Sequence, residues 1–106
     1  MKIKVAVMFG GKSVEHEVSI ISGLQAIAYM DTDRYDIVPV YITKQNEMYI
    51  GEKIGDISAY KNIDALLKDS QRVIMVNDKG RVKLITYPFK MLKKPGEVDI
   101  DVAFPI

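Results

Sequence analysis

Phe9-Gly10-Gly11-Lys12-Ser13-Val14-Glu15-His16-Glu17-Val18-Ser19-Ile20-Ile21-Ser22-Gly23 decides how the chain is read. An apolar run, Ile3 to Phe9, precedes it, and the apolar residues after it recur at helical spacing. That order is strand, glycine turn, helix. The turn lies at the carboxyl end of the strand, which is where open α/β sheets bind ligands. Two adjacent glycines, Gly10 and Gly11, let the backbone turn tightly and come close to a ligand. Ser13 is placed to cap the helix by accepting a bond from an early backbone N–H. The helix start then offers free N–H groups and a partial positive end to an anion. Glu15 and Glu17 put carboxylates at the same place, so a cationic group such as an amine fits as well.

Other readings of the turn are weaker or blander. Ala6 to Ser13 formally matches A-x-x-x-x-G-K-S, a relaxed phosphate-loop pattern. Val7, Met8 and Phe9 continue the apolar strand, however, and residues of a strand cannot also form the loop that cradles phosphates. G-x-G-x-x-G does not occur, and one Gly-Gly pair is weak support for a dinucleotide site. A plain βα turn with an acidic first helical turn explains Glu15 and Glu17 by charge–dipole placement alone.

Outward from the turn, Lys2 to Phe9 reads as a largely buried strand, with Ile3, Val5, Val7 and Phe9 on one face and Ala6 and Met8 on the other. Glu15 to about Met30 reads as a helix whose inward stripe is Val18, Ile21, Leu24 and Ala28, broadened by Ile20 and Ile27. His16, Glu17 and Gln25 are expected to point elsewhere. Arg34 to Thr43 is a second strand, in which Pro39 suggests an edge position or a bulge. Met48-Tyr49-Ile50 is a short extended piece. Ser58 to about Lys68 is a second helix with Ile63, Leu66 and Leu67 inward. Arg72 to Val76 and Arg81 to Tyr87, joined by Asn77-Asp78-Lys79-Gly80, form a hairpin. Asp99 to Ile106 is a last strand, expected to be central because it is almost continuously apolar. The fold class is therefore α/β: a small Rossmann-like domain with a mainly parallel sheet, flanking helices and an added β-hairpin.

Composition narrows the function. One hundred and six residues make one domain at most, with a modest core. With 48% apolar residues and 15 basic against 14 acidic side chains, a folded domain is expected, and nothing electrostatic favours nucleic acid or an acidic membrane. The absence of cysteine removes disulfides, thiolate metal sites and a cysteine nucleophile, and fits a reducing compartment. The apolar run after Lys2 and Lys4 is too short for a signal-peptide core, and no stretch approaches the roughly 20 apolar residues of a membrane span.

The remaining polar residues have plain explanations. His16 is the sole histidine, too few for a metal site or a Ser–His–Asp arrangement. Asp99 and Asp101 share a strand face but read as solvated rim. Lys90, Lys93 and Lys94 read as ordinary basic surface. Tyr41, Tyr49, Tyr60 and Tyr87 read as core and edge packing.

Gly10-Gly11-x-Ser13-x-Glu15-His16-x-Val18-Ser19-x-x-Ser22-Gly23 resembles the amino-terminal signature of the D-alanine–D-alanine ligases, and lies after a first strand near the amino terminus as it does in that family. The rest of the chain is similar to the family's first domain more loosely. It ends in Asp99-Ile100-Asp101-Val102-Ala103-Phe104-Pro105-Ile106, a strand that in the family runs into a His-Gly turn and a Gly-Glu-Asp-Gly segment. The resemblance implies that residues 1–106 are the amino-terminal, pre-ATP-grasp substrate-binding domain of a cytoplasmic ligase of peptidoglycan precursor synthesis, with the ATP-grasp domains outside this chain.

In such ligases the first D-alanine binds where three domains meet. ATP phosphorylates its carboxylate in the presence of Mg2+ or Mn2+, and the amine of a second D-alanine attacks the acyl phosphate. By the same resemblance Glu15 is the residue of the catalytic site, lying against the ammonium of the first D-alanine. Val18 would line that pocket, Ser19 would support Glu15 from the next turn, and Gly10, Gly11 and Ser13 would form the loop. A fixed carboxylate holds an ammonium by a charge-assisted bond and orients the substrate. No cofactor is expected on these 106 residues alone, which should neither make the dipeptide nor bind ATP tightly. A homodimer is implied; nucleic acid and membrane are not. Two alternatives stand beside this: a small-molecule or protein-interaction module of the same fold without ligase activity, and a ligase whose second substrate is D-lactate or another D-amino acid.

Overall fold

The computed structural model describes residues 2–12, 14–88 and 96–106. In chain order the elements are β1 (Ile3–Gly10), α1 (His16–Tyr29), β2 (Tyr35–Ile42), β3 (Met48–Ile50), a 3-10 turn (Ile57–Lys61), α2 (Ile63–Lys68), β4 (Gln71–Asp78), β5 (Arg81–Thr86), β6 (Glu97–Ile100) and β7 (Val102–Pro105). Among the described residues they build one sheet in the order β6-β5-β4-β3-β2-β1-β7. The α/β class, the βαβ unit and the hairpin are as the sequence implies. Parallel pairing, however, is confined to β1 with β2 and β1 with β7; the other four pairings are antiparallel. The sheet is mixed because only β1–α1–β2 supplies the crossover that a parallel neighbour requires at the front.

The last strand differs most from expectation. Asp101 divides it: β6 pairs with β5, and β7 pairs with β1. Asp101 is tied to Lys4 in both directions, its N–H donating to the Lys4 carbonyl at 2.9 Å and its carboxylate accepting from the Lys4 N–H at 2.8 Å. One continuous stretch therefore closes both ends of the sheet, so the sheet curls upon itself. The curl encloses a helix-free core of Ala6, Val40, Val73, Leu84 and Ile100, drawn from five strands. β7 is not buried on both faces as its apolarity suggests, since Val102 and Phe104 are about half exposed. Asp99 and Asp101 are exposed, in keeping with a solvated rim.

The other face carries the helices. Phe9 and Tyr41 pack with Ile20 and Leu24 of α1, Leu66 of α2 and Ile54. Burying a side chain of this size stabilises by about 1.5–3 kcal/mol, so this cluster fixes α1 on the sheet. β1 obeys its expected alternation: Phe9 belongs to the helix side, and Ala6 and Met8 to the curled core. The phase of α1 does not follow the expected stripe. Its buried residues are His16, Ile20, Gly23 and Leu24, whereas Val18 and Ile21 are exposed. The cause is shape. At Gly23 a Cβ would lie 2.6 Å from Phe9 Cβ, so only a glycine lets the helix settle onto that ring.

Pro39 sits within β2, opposite Val7 of β1. Its other side is open, because β3 pairs with β2 only at Tyr41 and Ile42. β2 is thus interior in the sheet but edge-like at the one residue that lacks an N–H. The expected single helix over 58–68 is two pieces. Asn62 separates them and caps α2, its side chain accepting from the Ala65 N–H at 3.1 Å. The β4–β5 turn is Lys79-Gly80 with φ of 54° and 84°, the left-handed pair that matches a hairpin's twist. The basic stretch Lys90, Lys93 and Lys94 lies outside the described residues.

Candidate functional site

The site region is the Gly10-Gly11 turn where β1 passes into α1. Both glycines adopt φ of 95°. Gly10 has no room for a side chain, because a Cβ there would lie 2.3 Å from the Ile42 carbonyl oxygen. That closeness lets the Gly11 N–H donate to the same carbonyl at 2.7 Å, extending the β1–β2 ladder into the turn. Gly11 requires glycine by conformation alone, since nothing lies within 4 Å of its missing Cβ.

Glu15 occupies the N-cap position of α1 with φ −94° and ψ 21°, and makes no side-chain capping bond. Its carbonyl accepts the Ser19 N–H at 2.8 Å. Ser13, expected to cap, lies outside the described residues. Val18 and Ser19 are the i+3 and i+4 neighbours of Glu15 and so share its side of the helix. Val18 is exposed, and Ser19 is half-buried. Ser19 is committed to the turn: its Oγ accepts the Gly10 N–H at 3.0 Å. The structure thus brings Gly10, Gly11, Glu15, Val18 and Ser19 to one end of β1, while tying Ser19 to the loop.

His16 corrects the sequence expectation. It is not a polar residue at the start of the helix pointing away; it is only 3% exposed. Its Nδ1 bonds the Gly11 carbonyl, and its Nε2 lies 2.8 Å from the Tyr41 hydroxyl. A carbonyl only accepts, so Nδ1 carries the proton. In the neutral ring Nε2 then accepts from Tyr41. Burial pushes the Tyr41 phenol above its ordinary value, which keeps it a donor. Tyr60 stacks edge-on against Tyr41 with ring centres 5.3 Å apart and donates to the Ile54 carbonyl at 2.6 Å. Its phenol is also pushed up, by burial first and then by Tyr41. Tyr41, Tyr49 and Tyr60 pack in the helix-side core as read from the sequence, Tyr87 carries the Arg72 guanidinium over its ring, and Tyr41 is in addition the polar floor of the turn.

A cleft of about 300 Å3 opens beside the turn, lined by Lys12, Val14, His16, Glu17 and Lys44. Glu15, Val18 and Ser19 are not among its lining residues. Glu17 is one of the two acids that the sequence places at the helix start, but Lys44 has no sequence signal, because nothing in its spacing places it, after β2, next to the α1 start. Parallel pairing of β1 with β2 does so, through Gly10 opposite Ile42. No group of three or more His, Cys, Asp or Glu among the described residues is placed to hold a metal. No described helix is long and apolar enough to cross a membrane.

The profile of the family described as D-ala D-ala ligase N-terminus matches residues 4–106. Among relatives, the chain is 34% identical over 110 residues to the D-alanine--D-alanine ligase of Caldicellulosiruptor bescii, covering 99% of this chain and 27% of that protein. It is 33% identical over 88 residues to the D-alanine--D-alanine ligase of Thermosipho melanesiensis, covering 83% and 24%. Among solved structures, the VanG D-Ala:D-Ser ligase of Enterococcus faecalis is similar over 99% of this chain and 29% of that one, with a TM-score of 0.69 and 28% identity. The D-Alanine-D-Alanine ligase of Helicobacter pylori shares the fold, with a TM-score of 0.69 at 20% identity over 95% of this chain and 28% of that one. The chain spans about a quarter of the length of these relatives.

Proposed function

Because the chain belongs to the D-alanine–D-alanine ligase amino-terminal family, we propose that it serves as the first-substrate domain of an ATP-dependent ligase, with Glu15 holding the ammonium of D-alanine. The observation that carries this is the placement of Glu15. Glu15 is the N-cap residue of α1, just past a glycine turn that is held by bonds from Gly10 to Ser19, Gly11 to Ile42 and His16 to Gly11, and its side chain does not cap its own helix. Charge–dipole placement accounts for an acid there but not for a braced glycine turn behind it. D-alanine is the substrate common to the names of the relatives, one of which takes D-serine as its partner.

In this reading the Glu15 carboxylate accepts from the substrate ammonium, Val18 covers the side of the methyl group, and Ser19 holds the turn rather than Glu15 itself. The bond between carboxylate and ammonium orients the substrate's own carboxylate away from Glu15 for reaction. ATP with Mg2+ would supply the phosphoryl group that activates that carboxylate. In this reading the nucleotide and metal are held by the ATP-grasp domains of the ligase, and these residues contribute to the D-alanine site. The reading places the protein in the cytoplasm, in peptidoglycan precursor synthesis, as a homodimer.

The test is a coupled ADP-release assay on the native gene product and on residues 1–106, each with D-alanine, ATP and Mg2+. D-alanine-dependent ADP release by the native product, and none by the 106 residues alone, is expected. A native product of about 12 kDa without turnover would instead favour a binding module of the same fold.

A further inference from the structure

We infer that His16 is a positioning residue: its imidazole, clamped as the Nδ1–H tautomer between the Gly11 carbonyl and the Tyr41 hydroxyl, sets where Glu15 stands. Three observations carry this. First, His16 is buried at 3% exposure, yet both ring nitrogens are satisfied, one by the turn and one by β2. A buried imidazole with two directed partners has a single orientation open to it.

Second, the bond from His16 to Gly11 ties the residue that follows Glu15 back to the glycine turn. The Gly10 N–H to Ser19 bond ties the next helical turn to it as well. Glu15 is thus bracketed on both sides, and it is adjacent to His16 in the chain. Third, Tyr41 lies opposite Phe9 in the β1–β2 pairing and contacts Phe9, Tyr60 and the His16 ring, so the hydroxyl that His16 accepts from belongs to the rigid core. Core packing is transmitted to the turn through one imidazole. This inference rests on the reading of Glu15 given above, and it assigns His16 no contact with substrate.

His16 is the only histidine, so the imidazole 15N spectrum of the labelled chain reports it alone. A proton on Nδ1 and a bare Nε2 are expected. A proton on Nε2, or an averaged pattern of exchanging tautomers, would overturn the clamp. Kinetics of the protein carrying ligase activity supply the functional half. Tyr41→Phe removes only the hydroxyl and is expected to raise KM for the first D-alanine about two- to tenfold, the worth of one hydrogen bond, with a smaller change in kcat. Combined with Glu15→Gln it should add almost nothing, since both act through one carboxylate. His16→Asn, which keeps an N–H near the Gly11 carbonyl, should retain more activity than His16→Leu.

A wild-type KM in Tyr41→Phe alongside a raised KM in Glu15→Gln would overturn the positioning role alone. A wild-type KM in Glu15→Gln would overturn the ammonium reading and the positioning role with it.

Discussion

Gly23→Ala tests whether the seat of α1 on β1 is set by shape. A Cβ at Gly23 would stand 2.6, 2.7 and 2.9 Å from Phe9 Cβ, Cγ and Cδ1. Ordinary carbon contacts are about 3.5–4.0 Å, so the helix or the ring must move by roughly 1 Å. Neither moves cheaply. Phe9 is 1% exposed and its Cβ is fixed by a central strand, while Ile20 and Leu24 hold the helix down on either side. Overpacking of this kind costs about 1–3 kcal/mol, and three contacts on rigid atoms place it near the upper end. Replacing glycine inside a helix returns about 1 kcal/mol. The expected net loss is therefore about 2 kcal/mol, or about 8–15 °C in Tm for a domain of this size. In urea the midpoint should fall by about 1–2 M with the slope unchanged. Gln25→Ala, on the exposed side of the same helix, should stay within about 0.5 kcal/mol. A Gly23→Ala variant as stable as the parent, or more stable, would refute the close seat.

Gly10→Ala and Gly11→Ala share the same strained φ, but only Gly10 also faces a carbonyl. Thermal melts should show a loss of about 3 kcal/mol or more at Gly10 and about 1–2 kcal/mol at Gly11; equal losses would contradict the close approach to Ile42. Asn62→Ala removes the cap of α2 and should cost about 1 kcal/mol in urea unfolding, with Asn62→Asp largely retaining stability. Tyr41 and Tyr60 both have phenols raised above the ordinary value of 10.0. The unfolded chain therefore loses these protons first as pH rises, so their contribution is complete below about pH 10 and declines above it. Circular-dichroism melts across that range should show Tm falling, less steeply in Tyr60→Phe; a flat profile would count against burial of the phenols.

Much of this architecture was legible because period and punctuation agree. The alternation of β1, the glycine turn and the Lys79-Gly80 hairpin each follow from residues whose backbone needs are local. The phase of α1 was not legible. Val18 and Ile21 are as apolar as Ile20 and Leu24, so hydrophobicity offers two stripes, and a contact at Gly23 chooses between them. A glycine inside a helical pattern is the signal of close approach, but its partner, Phe9, is known only once β1 and α1 are packed. The last strand misled for a related reason. Its apolarity matches a strand covered on both sides, whereas Asp101 splits it between two neighbours, a long-range pairing that no local pattern encodes. At the site, Glu15 and the glycines stood out by motif. His16 did not, because a lone histidine in a first helical turn gives no hint that Tyr41 will lie beneath it.

The most direct measurement is the KM for the first D-alanine in Glu15→Gln, with Glu17→Gln as its companion. Both acids lie at the start of α1, so the helix dipole treats them nearly alike, but Glu17 faces the cleft with Lys12 and Lys44. Losing a charge-assisted bond to an ammonium, about 1.5–3 kcal/mol, should raise KM in Glu15→Gln about 10- to 150-fold and leave Glu17→Gln near the parent. An unchanged KM in Glu15→Gln, or the larger effect in Glu17→Gln, would contradict the assignment of the ammonium to Glu15.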